Sequence, residues 1–281
     1  MKKYIKSPFN YMGNKYKLLS QILPIFPQKI DKFYDIFCGG LDVSVNVTAN
    51  KKIANDINYF VIEILEMFKN LENEKLIKNI NKVIKKYELS KDNKDGYLKL
   101  RNDYNHNPNP LLLYTLVCFS FNYQFRFNNE LKYNNPAGTG RSHFNKNLEN
   151  RIKLFQSKLG NIEFNKENFK NFNYNIININ DFVYFDPPYR ASTGSYNDGK
   201  RGFEGWNLED DLVLFDIIDK LNKKNIKFAL SNVFSNNGQK NIELEEWSKK
   251  YKINYLDISY NNSNYRRKQK GETKEVLITN Y

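Results

Sequence analysis

The sequence predicts an α/β fold with a mostly parallel, doubly wound sheet, and three stretches carry that prediction. The run from Phe182 to Phe185 is short, apolar on both faces and prone to form strands, which is typical of a buried parallel strand. Two prolines then end it, because proline lacks the amide donor of the next ladder bond. A second strand enters a glycine turn within residues 33–40, and a third ends in an acid within residues 53–56. Sheets of this class bind ligands at the carboxyl ends of their strands.

Composition limits the class of protein before any motif is considered. The chain has 281 residues and 40% hydrophobic residues, enough for one large or two small domains. Its net charge of +13 favours a polyanionic partner, with nucleic acid ahead of an anionic membrane. Two cysteines and two histidines predict neither a disulfide framework nor a metal site. The chain shows no membrane-spanning run and no signal peptide, so a cytoplasmic protein is expected.

The most informative motif is Asp186-Pro187-Pro188-Tyr189, directly behind the buried strand. Asp186 is an acceptor at neutral pH, and Pro187 adds a carbonyl without an N–H of its own. Tyr189 offers a flat face to a planar ring. An exocyclic amine on a nucleobase fits all three, whereas the structural alternative is a proline turn with a capping Asp. The position behind an apolar strand favours the functional interpretation.

Two acids near the glycine turn indicate a second ligand. Gly39 and Gly40 let the backbone approach a ligand closely, but the turn is not a dinucleotide fingerprint. We predict a helix start after it. Asp35 ends the strand before the turn, and Asp56 follows the next strand, where an acid suits a ribose diol.

The middle of the chain is predicted to be mostly helical. Apolar stripes at helical spacing cover residues 57–68 and 76–87, and the lysines between them are predicted to form a solvated face. We predict further helices over residues 90–104, with Ser90 as N-cap, and over residues 111–119. Residues 121–141 alternate aromatic and polar side chains and predict a β-hairpin. Its arginines, set among aromatics and amides, favour reading of base edges.

The last third returns to strands and helices. Asn207 is predicted to cap a helix, residues 226–232 to form a buried strand, and a helix to surround Trp247. Strands over residues 253–260 and 275–280 are predicted to flank a basic loop at residues 261–270 and to close the sheet.

Several of these motifs, in this order, resemble the Dam family of DNA adenine methyltransferases, and in particular the Dam enzymes of T-even-type phages. The shared motifs are Phe-Cys-Gly-Gly-Leu, Ala-Asn-Asp-Ile, Asp-Phe-Val-Tyr-x-Asp-Pro-Pro-Tyr, Leu-Ser-Asn-Val and Glu-Trp-Ser-Lys-Lys-Tyr. The resemblance implies a Rossmann-like sheet that binds S-adenosyl-L-methionine and carries an inserted, mostly helical target-recognition domain with a β-hairpin. It implies a catalytic domain of residues 1–58 and 160–281 and a recognition domain of residues 59–159.

The resemblance also implies the roles of individual residues. The expected catalytic residues are Asp186, Pro187, Pro188 and Tyr189. The expected cofactor-binding residues are Tyr11, Lys15, Asp35, Phe37, Cys38, Gly39, Gly40, Leu41, Asp56, Phe169 and Asp186. The expected DNA contacts are Phe121, Asn122, Gln124, Arg126, Pro136, Arg141 and Lys268, where Phe121 wedges into the base stack and Arg126 reads a guanine. Asn10, Gln124 and a turn one residue longer depart from the family pattern.

The predicted function is methyl transfer to the exocyclic amine of a flipped adenine in double-stranded DNA, within GATC. We expect a monomer or weak dimer without metal. RNA, protein-glutamine and cytosine amino-methyltransferases share the fold, but the first two usually carry Asn and the last Ser where Asp186 stands. A DNA-binding protein without catalysis could lose Asp56 or Asp186, and this chain keeps both.

Overall fold

A computed structural model describes residues 4–190, 205–236, 238–257 and 273–281 of the chain. Its central sheet has the strand order β3–β2–β1–β4–β5–β8–β7, and short β6 pairs with β5. The strands are β1 (Lys32–Asp35), β2 (Lys51–Asn55), β3 (Ile162–Asn165), β4 (Phe182–Phe185), β5 (Lys227–Asn236), β6 (Gln239–Lys240), β7 (Lys252–Leu256) and β8 (Lys274–Thr279). The pairs from β3 through β5 are parallel, and β8 runs antiparallel to both β5 and β7. This arrangement confirms the predicted α/β class.

The helices are α1 (Leu19–Ile22), α2 (Tyr59–Asn70), α3 (Asn73–Lys86), α4 (Lys94–His106), α5 (Pro110–Phe119), α6 (Lys146–Gln156), α7 (Leu208–Lys223) and α8 (Ile242–Ser248). Asn207 caps α7 in a capping box with Asp210, as predicted. Among the described residues, no helix has the length and apolarity to cross a membrane.

Helices α2 to α6 lie between β2 and β3 in the chain, within the predicted recognition domain. They do not have a separate core. One hydrophobic cluster joins residues of α2 to α6 with Tyr11, Cys38 and Leu41, which belong to the predicted cofactor-binding part. The inserted helices therefore share one hydrophobic core with the glycine turn and the Tyr11 loop.

Two predictions of helix starts were wrong. The predicted N-cap Ser90 precedes α4 by several residues, and Asn93 caps the helix instead by accepting from the amide of Gly96. Ser90 accepts from the amides of Asp92 and Asn93 and so forms a turn before the cap. Both residue types are good caps, so the pattern did not distinguish them. After Gly40 the chain forms successive turns over residues 41–47, where we predicted the start of a helix.

The predicted β-hairpin is a compact loop, here called the recognition loop (residues 120–145). Two isolated antiparallel bridges, Ser120 with Ala137 and Phe127 with Tyr133, replace a regular ladder. The Asn135 side chain donates to the carbonyls of Phe121 and Gln124, at 3.0 Å each, so a side chain takes acceptors that a ladder would use. The predicted basic loop at residues 261–270, with Lys268, lies outside the described residues.

Candidate active site

Three carboxylates meet at one edge of the sheet. Strand β1 lies between β2 and β4, and all three strands are parallel. Asp35 ends β1, Asp56 follows β2 and Asp186 follows β4, so their positions converge at the carboxyl edge. Asp35 is 2% exposed and Asp56 is 5% exposed. The convergence of these predicted residues follows from the sheet topology.

The glycine turn packs against the ring of Tyr11. Gly39 has a φ of +45°, which favours glycine, and a Cβ built there would lie 2.7 Å from Cδ1 of Tyr11. A Cβ on Gly40 would lie 3.1 Å from the Tyr11 Cβ. Asn58 donates to the Tyr11 hydroxyl at 3.2 Å. The turn therefore presents bare backbone under the Tyr11 ring, and Cys38 and Leu41 on either side of the two glycines are buried.

Asp56 fixes this turn to the end of β2. Its Oδ2 accepts from the amide of Gly39 at 2.9 Å, and its Oδ1 accepts from the amide of Asn58 at 2.9 Å. Each carboxylate oxygen has a second lone pair beyond these bonds. The two amides thus fix the orientation of the Asp56 carboxylate at the carboxyl edge of the sheet.

Asp35 is the most unusual acid of the edge. Its Oδ2 accepts from the Ser44 hydroxyl at 2.5 Å, but its Oδ1 has no hydrogen-bond partner among the described residues. Burial raises the pKa of Asp35 to about 8, the Ser44 hydrogen bond opposes that shift, and the charges of Asp186 and Asp56 raise the pKa further. A buried carboxyl oxygen without a partner suits a ligand donor.

Asp186 lies in a compact network with Lys15, Tyr189 and Glu275. The Lys15 ammonium forms an ion pair with Oδ1 of Asp186 at 2.8 Å and donates a hydrogen bond to the Gly13 carbonyl at 2.9 Å. The Tyr189 hydroxyl donates to the same Asp186 oxygen at 3.0 Å and approaches Oε1 of Glu275 at 3.4 Å. Lys15 Nζ also lies 4.9 Å from the centroid of the Tyr189 ring. Lys15, expected at the cofactor, therefore contacts the predicted catalytic carboxylate.

Three aromatic rings pack together beside the edge. The centroids of Phe37 and Phe169 are 5.4 Å apart, and those of Phe169 and Trp206 are 5.2 Å apart. The indole N–H of Trp206 donates to Asp211 at 2.7 Å. The structure thus brings together the predicted residues Phe37 and Phe169 and adds Trp206, which the sequence analysis did not include.

The recognition loop alternates buried anchors with exposed polar groups. Phe127 stacks on Phe60 of α2 at 4.5 Å, and Phe125 lies 6.1 Å from the Tyr11 ring. Arg126, between these two phenylalanines, is exposed. Of the other predicted DNA contacts, Gln124 is partly buried, and the exposed ones are Phe121, Asn122, Pro136 and Arg141.

Sequence reasoning missed Ser44, Glu275 and Arg190. Glu275 is 5% exposed, and the signal for it was a carboxylate directly before the apolar residues 276–278. Arg190 follows the Asp-Pro-Pro-Tyr motif, forms an ion pair with Asp211 at 3.0 Å and also pairs with Glu243. These contacts tie the end of the motif to α7 and α8.

Comparison with known proteins places the site in a family context. The family model described as D12 class N6 adenine-specific DNA methyltransferase matches residues 11–268. The chain is 52% identical over 280 residues to the Type II methyltransferase M.FokI of Planomicrobium okeanokoites, covering 99% of this chain and 43% of that protein. It is 50% identical over 284 residues to the Modification methylase StsI of Streptococcus sanguinis, covering 100% of this chain and 43% of that protein. The DNA adenine methylase of Haemophilus influenzae is 25% identical over 233 residues, with 80% and 79% covered. The chain therefore spans less than half the length of the first two relatives.

Proposed function

This chain belongs to the D12 class N6 adenine-specific DNA methyltransferase family, and from that premise we propose that it transfers a methyl group from S-adenosyl-L-methionine to the exocyclic amine of adenine in double-stranded DNA. The observation that carries the proposal is the position of Asp186-Pro187-Pro188-Tyr189 at the sheet edge that also holds the glycine turn. That edge brings an acceptor for an amino group close to a pocket for a cofactor.

The residues at the edge fit S-adenosyl-L-methionine. The missing Cβ atoms of the glycine turn let the Tyr11 ring pack directly on its backbone, which holds Tyr11 beside the turn where the cofactor is proposed to bind. Asp56 is oriented to accept from a ribose hydroxyl, and the unpartnered Oδ1 of Asp35 suits a cationic donor such as an α-ammonium. When bound, this cofactor supplies an electrophilic methyl group. Phe37 and Phe169 offer apolar ring surface beside the turn.

The contribution of the protein to catalysis is positioning and electrostatics. Asp186 and the Pro187 carbonyl accept hydrogen bonds from the two N–H bonds of the adenine amino group. These bonds orient the nitrogen lone pair toward the methyl group. Tyr189 offers its ring to the base, and its hydroxyl holds Asp186 at 3.0 Å. No covalent intermediate is needed, because the nitrogen itself attacks. The Asp186 side chain is only 15% exposed at the sheet edge, and a base within the duplex cannot reach it, so the adenine must leave the stack.

The recognition loop supports DNA as the substrate. Its exposed groups include an aromatic side chain, Phe121, which is 44% exposed and can fill the space of a flipped base. Arg126 and Arg141 are both exposed and suit bidentate contacts with guanine. The chain carries a net charge of +13, which favours a polyanion.

The target sequence is a finer proposal. The resemblance to Dam enzymes makes GATC the expected site, because that palindrome has a guanine near either end for two separated arginines. The relatives with higher identity are named as a type II methyltransferase and a modification methylase, which favours a modification role and leaves the site open. Single-molecule sequencing of plasmid from expressing cells reads the site directly. Modified adenines mainly outside GATC would refute that target and leave the chemistry standing.

The test of the chemistry is Asp186→Ala with tritiated S-adenosylmethionine and duplex DNA. Methyl transfer should fall by about 10³-fold or more, because Asp186 orients the nucleophile, while cofactor binding by calorimetry persists at least partly. Asp92→Ala, an exposed acid before α4, is the matched control and should retain full activity. Mass spectrometry of the nucleosides should show N6-methyldeoxyadenosine. Methylated cytosine, methylated RNA alone, or DNA binding without transfer would each support one of the alternatives.

A further inference from the structure

The ion pair between Lys15 and Asp186 occupies one oxygen of the carboxylate that the proposed function needs. The Lys15 ammonium lies 2.8 Å from Asp186 Oδ1, and the Tyr189 hydroxyl donates to the same oxygen at 3.0 Å. A charged donor holds a carboxylate more strongly than the neutral amino group of adenine does. Adenine therefore competes for Asp186 at a disadvantage unless the ammonium has a second carboxylate close by.

Glu275 is that second carboxylate. Its Oε1 lies 4.0 Å from Lys15 Nζ, so a movement of the Lys15 ammonium by about 1 Å toward Glu275 converts this long ion pair into a hydrogen bond. The same oxygen lies 3.4 Å from the Tyr189 hydroxyl, the other donor to Asp186. Both donors on Asp186 thus already face Glu275.

The position of Glu275 is fixed by the sheet. It is the second residue of β8, where it pairs with Val233 of β5 and Leu256 of β7, and it is 5% exposed. Burial raises the pKa of Glu275, the charge of Lys15 lowers it, and the charge of Asp186 raises it. A buried carboxylate on a rigid strand is a costly feature unless a cation uses it.

We propose that Glu275 is a positioning residue for methyl transfer. It receives the Lys15 ammonium and the Tyr189 hydroxyl when the adenine amino group takes their place on Asp186. Glu275 acts through these two side chains and makes no contact with the base. This proposal rests on the proposed function, whereas the alternative is that Glu275 only stabilises the folded chain through Tyr189.

The test compares Glu275→Gln with Glu275→Asp in the full chain. The amide keeps the shape and removes the charge, so kcat should fall by about 10²-fold while the KM for S-adenosylmethionine changes less than about twofold. Aspartate keeps the charge on a shorter stem and should restore at least a tenth of the wild-type kcat. Glu163→Gln, a carboxylate on β3 paired with Lys51 at the surface, is the matched control and should leave kcat unchanged.

Three results would overturn the role of Glu275: a kcat for Glu275→Gln within about twofold of wild type, an Asp variant as impaired as the Gln variant, or loss shared with Glu163→Gln. If Glu275→Gln fails to fold, the Asp variant still decides, because only a charge-dependent role predicts its recovery. A wild-type chain that transfers no methyl group to DNA would instead contradict the proposed function itself, so the two failures are distinguishable.

A second, independent feature is a lysine-rich groove on the inserted helices. The groove lies between α3 and α6, has a volume of about 680 Å³, and shares no residue with the active site. It is lined by five lysines against two glutamates, Glu74 and Glu149, and Lys146 pairs with Glu149 at 2.7 Å. The lysines are Lys78, Lys82, Lys85, Lys146 and Lys153. The local charge therefore favours an anionic occupant.

The groove is close along the chain to the recognition loop. Lys146 begins α6 five residues after Arg141, which limits their separation to roughly 18 Å. The amide of Gly140 donates to the carbonyl of Lys91 at 2.8 Å, and this joins the turn before Arg141 to the segment that follows α3. Lys85 lies in the last turn of α3. One end of the groove is thus close along the chain to an exposed arginine of the loop.

We infer that the groove binds the sugar–phosphate backbone of duplex DNA flanking the target base. The test is the salt dependence of affinity for a labelled duplex of random sequence, measured by fluorescence anisotropy over a range of KCl concentrations. Replacing Lys78, Lys82 and Lys153 together by Gln should make the negative slope of log K against log[KCl] shallower by about 2–3, because fewer phosphate contacts mean that fewer counterions are released on binding. The control replaces three exposed lysines of α7 and the α8 terminus, Lys220, Lys223 and Lys249, and should leave the slope unchanged. An unchanged slope in the groove variant, or an equal change of slope in the control variant, would overturn the inference. This inference rests on the proposed function for its ligand, but binding is read without methyl transfer, so a chain that binds DNA through the groove and transfers no methyl group would contradict only the proposed function.

Discussion

Asp35 allows a prediction in which stability and function oppose each other. Its carboxyl is 2% exposed, and burial raises its pKa from 3.8 to about 8, with Asp186 and Asp56 adding to the shift. Between these pH values the folded chain holds a proton that the unfolded chain has released, so stability is lost as pH rises. Asparagine can keep a bond to Ser44 and cannot ionise, so Asp35→Asn removes this penalty.

The magnitude follows from the linkage. Between pH 5 and pH 7 the wild-type chain loses roughly 3 kcal/mol of stability from this one group, since each pH unit inside the window contributes about 1.36 kcal/mol. The advantage of Asp35→Asn over wild type should grow by that amount across the same range, whatever the asparagine itself contributes to packing. At roughly 2–4 °C per kcal/mol, the difference in Tm should widen by about 5–10 °C.

The assay is thermal unfolding of cofactor-free protein at the two pH values, with Asp92→Asn as the exposed control. A stability difference that stays constant from pH 5 to pH 7 would refute the assignment of a raised pKa to Asp35. The same variant should bind S-adenosylmethionine more weakly, because the oxygen that suits the cofactor's ammonium is replaced. A variant that is more stable and binds less well would identify Asp35 as an acid retained for binding.

Four further outcomes are expected at the site, in the recognition loop and at Lys268. Asp56→Ala should weaken S-adenosylmethionine binding by roughly 1.5–3 kcal/mol in titration calorimetry, because a ribose hydroxyl loses a charged acceptor; an unchanged affinity would place the ribose elsewhere. Phe121→Ala should reduce the fluorescence gain of 2-aminopurine at the target, and an undiminished gain would assign the wedge to another side chain. Arg126→Ala should cost ~1–3 kcal/mol at one guanine and relax specificity there, whereas equal weakening on every sequence would make Arg126 a phosphate contact. Lys268→Ala should weaken all sequences alike.

The sequence predicts the sheet edge well because of a simple geometric rule. Parallel neighbouring strands end at the same edge, so acids that follow three such strands converge without any knowledge of tertiary contacts. Asp35, Asp56 and Asp186 meet this condition. Glu275 escaped notice because β8 is antiparallel, and an antiparallel strand begins at the edge where its parallel neighbours end. A charged residue at the start of a late antiparallel strand is therefore as informative as one at the end of a parallel strand.

Side-chain reach and local hydrogen bonding limit what a pattern can predict. Lys15 lies in a loop, and its long side chain contacts Asp186, 171 residues away in sequence, a contact that spacing does not encode. In the recognition loop, the alternation of Phe125, Arg126 and Phe127 gives the correct burial of each side chain. It does not give the backbone pairing, because the side chain of Asn135 takes the carbonyls that a ladder would have used.

The shared core of the loop and the glycine turn determines which substitutions isolate DNA reading. Phe125 contacts both Phe9 and Tyr11, and Tyr11 lies directly on Gly39, so the buried side of the loop is continuous with the cofactor turn. A change at Phe125 therefore disturbs both sites through packing. Arg126 points away from that core and is exposed, so its replacement tests base recognition without moving the turn. The alternation that predicted a hairpin thus separates the buried side chains Phe125 and Phe127 from the exposed Arg126, which we propose reads DNA.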